Sequence, residues 1–181
     1  LTVQYRVFGN GRVDVEGTFE RNQNVAMPMR IGLRTQLHDS LNKLEWFGRG
    51  PHENYFDRNW SALIGRYRSS VADQYVPYLR PQENGYKTDA RWLKLSNEKG
   101  MELVIRGAPT VSFSALPQPL EAFEAPAVAF ETDVNVVRDK YPIHVNDVAE
   151  EGGVYLHVDY GQVGVGGDNS WGKRAHNSST L

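Results

Sequence analysis

Three carboxylates stand in tracts of this chain that read as loops: Glu53 and Asp57 within residues 48–59, and Glu83 within residues 76–88. Cleavage of a glycosidic bond needs two carboxyl groups, about 5 Å apart for retention or about 6.5–9.5 Å for inversion. Two long loops could bring such a pair together. The same residues sit in His52-Glu53-Asn54 and Gln82-Glu83-Asn84-Gly85. There, carboxylates and amides commonly hold turns by accepting backbone N–H groups. Local context therefore favours a turn-holding role over catalysis. The five histidines, His38, His52, His144, His157 and His176, form no close pair at metal-ligand spacing. They read as surface or hydrogen-bonded side chains, with His144 the first to check near a pocket rim. No Gly-x-Ser-x-Gly elbow surrounds a serine, and Ser170 has no histidine nearby in sequence. The glycine string at 161–167 lacks the following Lys-Ser or Lys-Thr and the helix that a phosphate cradle requires. It reads instead as a glycine-rich strand entering a tight loop.

That strand delivers Asp168-Asn169-Ser170-Trp171-Gly172. A Trp in a short polar loop has two readings. It can fold back onto its own core, or it can present a platform on which the C–H face of a pyranose lies, with Asp168 and Asn169 supplying hydrogen bonds. Burying an indole against such a ring is worth on the order of 1.5–3 kcal/mol. Composition alone leaves both readings open.

The elements that must position these residues are strands. Val3, Tyr5 and Val7 alternate with polar residues, and after Gly9-Asn10-Gly11 the pattern resumes at Val13 and Val15. A three-residue loop pairs Val7 with Val13, Tyr5 with Val15 and Val3 with Gly17. Further alternation marks Met29–Leu33, Leu44–Trp46, Val111–Ala115 and Val154–Val158, the last with Tyr155, His157 and Asp159 on its opposite face. A second hairpin is expected at 91–106, with Leu93 and Leu95 opposite Met101 and Leu103 across a turn at 96–100. Helices are scarce. Helical spacing at Leu120, Phe123 and Ala127 is interrupted by Pro117, Pro119 and Pro126, and residues 71–78 hold one turn at most. Many short strands between turn signals predict an all-β antiparallel sandwich.

The protein has 181 residues, room for one domain with a substantial core. A net charge of −2, without clustered basic residues, argues against nucleic acid or an anionic membrane as partner. The absence of cysteine removes disulfides, thiolate catalysis and zinc–cysteine sites. No apolar run approaches the roughly 20 residues of a membrane span. No basic start followed by an apolar stretch reads as a signal peptide. The compartment stays open.

Three blocks, in order, carry a resemblance. Gly50-Pro51-His52-Glu53-Asn54-Tyr55-Phe56-Asp57-Arg58, Tyr75-Val76-Pro77-Tyr78-Leu79-Arg80-Pro81-Gln82-Glu83-Asn84-Gly85 and Gly164-Val165-Gly166-Gly167-Asp168-Asn169-Ser170-Trp171 are similar to signatures of the C-terminal "small chain" domain of glycoside hydrolase family 2 β-galactosidases. The resemblance covers most of the sequence, 1–181. It implies a large antiparallel sandwich of the galactose mutarotase type, or supersandwich. Both catalytic glutamates of such enzymes come from a separate (β/α)₈ barrel, so no catalytic residue is expected here. Trp171 matches the family's sugar-stacking position, with Asp168 and Asn169 as loop supports.

The expected partners are a β-galactoside, the barrel of the same parent protein and further copies of the parent, with no nucleic acid and no membrane. The magnesium and sodium ions such enzymes use bind in other domains, so no cofactor or metal is expected in this one. The family usually adds a closing strand or two after this point, so the sequence is expected to be a fragment without them. Competing roles are a stand-alone carbohydrate-binding module, a mutarotase-like aldose epimerase with a His and a Glu converging in a pocket, and a scaffold with Trp171 buried.

Overall fold

The computed structural model describes residues 1–22, 24, 28–79, 81, 83–123 and 148–164. Among the described residues the strands are β1 (Thr2–Val7), β2 (Val13–Thr18), β3 (Arg30–Leu37), β4 (Lys43–Gly50), β5 (Leu63–Ser70), β6 (Lys87–Ser96), β7 (Glu102–Leu116) and β8 (Val154–Gln162). Strands β1 and β2 form a two-stranded hairpin, and the other six form one sheet in the order β3-β8-β7-β6-β4-β5. All pairings are antiparallel. Among the described residues the helical elements are two 3-10 turns, Ala72–Gln74 and Leu120–Phe123. None of these is long and apolar enough to cross a membrane. The fold class is the predicted one: all-β, antiparallel and consistent with a β-sandwich.

Period-two alternation places the core on one face of the six-stranded sheet. Leu44 lies opposite Leu95, Trp46 opposite Leu93, and Ala115 opposite Leu156. All six are buried, together with Phe113 and Val154. Trp46 meets Phe113 edge-on at 6.1 Å and Tyr67 at 5.3 Å. Its indole N–H donates to the Arg49 carbonyl at 2.9 Å, so the large ring is buried with its polar atom satisfied. In β8, Val154 and Leu156 join this core while Tyr155, His157 and Asp159 point to the other face, as the alternation predicts.

The first hairpin has the predicted register, Val7 to Val13, Tyr5 to Val15 and Val3 to Gly17. Three readings need correction. The second hairpin pairs Leu95 with Leu103 and Leu93 with Ile105, two residues beyond the expected register. The cause is Asn97, whose side-chain oxygen accepts the N–H groups of Lys99 and Met101 at 2.9 Å each and draws Met101 into the turn. The Val111–Ala115 run is no separate strand but the end of β7. The backbone folds closely back on itself at Gly107–Thr110, where a Cβ on Gly107 would stand 2.5 Å from the Thr110 Cα. That irregularity accommodates Pro109 within a strand. Finally, β5 has no counterpart in the sequence reading. It is an edge strand, and its outward Arg66 and Arg68 pair with Glu45 of β4 rather than with a core.

Candidate functional site

The first two signature blocks lock together at one end of the sheet. Glu53 is buried and accepts from four donors: the Gly85 N–H at 2.9 Å, the Tyr55 hydroxyl at 3.2 Å, the Arg58 guanidinium and the Tyr78 hydroxyl. Asn54 is fully buried. Its side-chain oxygen accepts the Thr88 N–H at 2.9 Å and the Thr88 hydroxyl at 2.7 Å, and its own N–H donates to the Tyr86 carbonyl at 2.7 Å. Asn84 clasps Val76, accepting its N–H at 2.8 Å and donating to its carbonyl at 2.6 Å.

Gly85 follows with φ +68°, and a Cβ there would meet Leu116 Cδ2 at 2.9 Å. Only glycine suits both the left-handed backbone and the close packing. The Tyr55 and Tyr86 rings stack at 5.5 Å, and the Arg58 guanidinium lies 4.8 Å above Tyr55. Burial pushes the Tyr55 hydroxyl well above its ordinary pKa, with Glu53 adding to the shift. The Glu-Asn pairs therefore hold turns and bridge loops, as their sequence context predicts.

Beside this junction Arg30 of β3 joins three segments. Its Nε donates to Asp159 of β8 at 2.7 Å, its Nη2 donates to Glu83 at 3.1 Å, and its guanidinium lies 5.2 Å from the Tyr86 ring centre. Burial raises the Asp159 carboxyl to about 6 against the opposing pull of Arg30. Burial also raises Glu83, with Asp159 adding to it. A Cβ on Gly32 would stand 2.7 Å from the Asp159 Cα, so the carboxylate's seat exists only because β3 carries glycine there. Lys87, also buried, donates to the Gly85 carbonyl at 3.2 Å and lies 5.4 Å from the Trp46 ring centre. Burial lowers its pKa to about 8.

The third block arrives at the same place. Just past β8, the Val163 N–H donates to the Met29 carbonyl at 2.9 Å. Gly164 then packs directly on Asp57, for a Cβ at 164 would stand 2.6 Å from its Oδ2 and 2.7 Å from its Cβ. Parts of all three blocks thus meet within one region. Trp171, Asp168 and Asn169, predicted as the sugar-binding loop, lie outside the described residues, as do Ser170, His144 and His176.

Of the remaining histidines, His52 contacts the Ser61 hydroxyl at 3.1 Å and His38 lies 2.8 Å from Asp39. His157 lines a cleft of about 230 Å³ with Arg34, Gln36, Glu121 and Tyr155. Burial, aided by Arg30 and Arg34, lowers it to about 4, so it is neutral at pH 7. Glu121 is ion-paired to Arg34. No group of three or more metal-ligating side chains occurs among the described residues.

Sequence reasoning missed Arg30, Asp159 and Lys87. For Arg30 and Asp159 the visible signal was charge between apolar or aromatic neighbours, Met29 and Ile31 for the first and Val158 and Tyr160 for the second. The partners that justify it are remote: 129 residues separate Arg30 from Asp159.

The fold and these contacts define an antiparallel β domain braced by interlocked Glu-Asn loops. The family described as beta galactosidase small chain matches residues 1–181, and this protein belongs to it. Among curated relatives, a beta-galactosidase of Priestia megaterium is 35% identical over 99% of this sequence. Beta-galactosidases of Vibrio cholerae and Lactobacillus delbrueckii are 34% and 33% identical over 96% and 97% of it. The sequence spans only 15–16% of the length of these relatives.

Proposed function

We propose that this protein is the non-catalytic C-terminal domain of a retaining β-galactosidase, to which it contributes an aromatic sugar-binding loop. The observation that carries the reading is the meeting of parts of all three signature blocks, where Gly164, seven residues before Trp171 in the sequence, packs on Asp57. Two of the three candidate carboxylates, Glu53 and Glu83, serve to join segments there. The general acid/base and the nucleophile belong to the (β/α)₈ barrel of the parent. They stand about 5–5.5 Å apart and act through a covalent galactosyl intermediate.

Trp171 lays its indole against the C–H face of the docking galactoside, and Asp168 and Asn169 shape the loop around it. Such stacking favours binding by on the order of 1.5–3 kcal/mol, about ten- to a hundredfold in affinity. Trp171→Ala in the full-length enzyme is expected to raise KM for a β-galactoside, and unchanged KM and kcat would reject the reading. The isolated domain is expected to be inactive and to bind galactosides weakly, since it supplies only part of the pocket. Saturable, tight binding by the isolated domain, followed by Trp fluorescence, would instead favour an independent carbohydrate-binding module.

A further inference from the structure

We infer that Asp57 is a positioning residue for the sugar-binding loop, setting its direction through van der Waals contact with Gly164. This inference rests on the proposed role of Trp171. Two consecutive anchors act on the backbone as it leaves β8. The first is a backbone hydrogen bond from Val163 to Met29, which extends the sheet by one residue and fixes height and register. The second is the Asp57 side chain lying on the Gly164 Cα, where no side chain fits. Rotating the carboxylate away does not make room, because the Asp57 Cβ itself would stand 2.7 Å from a Cβ at 164. A residue larger than glycine must therefore move either the Asp57 backbone or its own.

The Asp57 backbone is not free to yield. Arg58 next to it donates its N–H to the Tyr55 carbonyl at 2.9 Å and its guanidinium to buried Glu53, and Arg49 grips the same loop at the Asn59 and Ala62 carbonyls, 3.2 and 3.1 Å away. The loop root must give instead. Trp171 follows Gly164 by seven residues, a span of at most about 25 Å. A change of direction at Gly164 moves the surface on which the indole can stand, and displacements of about 1 Å in substrate-positioning groups can cost up to about a hundredfold.

The test is a double-mutant cycle in the full-length enzyme. It reads KM and kcat for a nitrophenyl β-galactoside, the inhibition constant of a non-hydrolysable thiogalactoside, and the thermal midpoint. Gly164→Ala is expected to raise KM and the inhibition constant together by about tenfold, with a smaller change in kcat. Asp57→Gly alone is expected to raise both several-fold. Asp57→Gly combined with Gly164→Ala is expected to recover most of the loss caused by Gly164→Ala, because removing the Asp57 Cβ together with the carboxylate leaves room for the new methyl group.

Unchanged KM in Gly164→Ala would overturn the inference, as would strictly additive losses in the double variant. So would a fall in thermal midpoint and active fraction with KM unaltered, which is the signature of a scaffold contact. Trp171→Ala, measured in parallel, separates the two claims. If it raises KM while Gly164→Ala does not, only the positioning role fails; if it leaves KM unchanged, the sugar-loop reading itself fails.

Discussion

The β1–β2 hairpin and the junction of the signature blocks are opposite kinds of structure. In the hairpin the cross-strand pairs are local and apolar on one face, and their register follows directly from the spacing. Yet Tyr5, Val7, Val13 and Val15 remain exposed. In the junction, the groups that matter are polar, buried and contributed by segments 32 to 129 residues apart: Glu53 with Gly85, Asn54 with Thr88, Arg30 with Asp159. A two-stranded hairpin is marginal by itself, whereas each buried polar group in the junction is costly unless its partners are in place. Alternation in sequence therefore reports which residues share a face, not how much that face stabilises the protein. Clustered Glu, Asn, Gly and Tyr report where distant loops are joined.

The largest effect is expected where a charge would be left without its partner. Arg30→Met leaves Asp159 and Glu83 facing each other in a buried site and should cost about 3–5 kcal/mol, read as a fall in thermal or denaturant midpoint. Asn54→Ala comes next. It strands the N–H and hydroxyl of Thr88 and should cost about 2–3 kcal/mol by the same assay. Val15→Ala in the hairpin should change stability by less than about 1 kcal/mol, as surface substitutions do. A hairpin substitution as damaging as Asn54→Ala would erase the distinction between the two regions.

A smaller effect concerns pH, through two neighbouring groups on the outward face of β8. Asp159, raised to about 6, keeps its proton in the folded protein over a range where the unfolded state, with pKa about 4, has lost it. Its contribution favours folding at low pH and is lost as pH rises from about 4 to 6. Glu83, also raised, acts in the same sense. His157, lowered to about 4, has the opposite sign: the unfolded state takes up a proton below about 6.5, so stability falls as pH falls through that window. The two slopes oppose each other between about pH 4 and 6 in the unmodified protein. Removing the imidazole with His157→Gln should make the midpoint fall as pH rises, and Asp159→Asn should make it rise. Three parallel curves would contradict the assignment.

Much of the fold was legible in the sequence because antiparallel strands with one buried face write their pattern at short range. Val154, Leu156 and Val158 fixed the inward side of β8, and the loop at 9–11 fixed the hairpin register. Strand β5 was not legible, since Arg66 and Arg68 find their partner in Glu45 across the sheet and leave no apolar alternation of their own. The Leu93/Leu95 pairing was misjudged by two residues because one side chain, Asn97, decides where the turn closes. At the candidate site, the turn-holding character of Glu53 and Asn84 was readable from their neighbours. The contact of Asp57 with Gly164 was not, because steric exclusion between residues 107 positions apart has no compositional signature.

The sugar-binding role is tested most directly by the structure of the full-length enzyme with a galactoside bound. The Trp171 indole is expected to face the sugar across the mouth of the barrel, in van der Waals contact with its C–H face, with Gly164 seated on Asp57 at the root of the loop. An indole packed among aliphatic side chains of its own sheet, turned away from the ligand, would contradict that role.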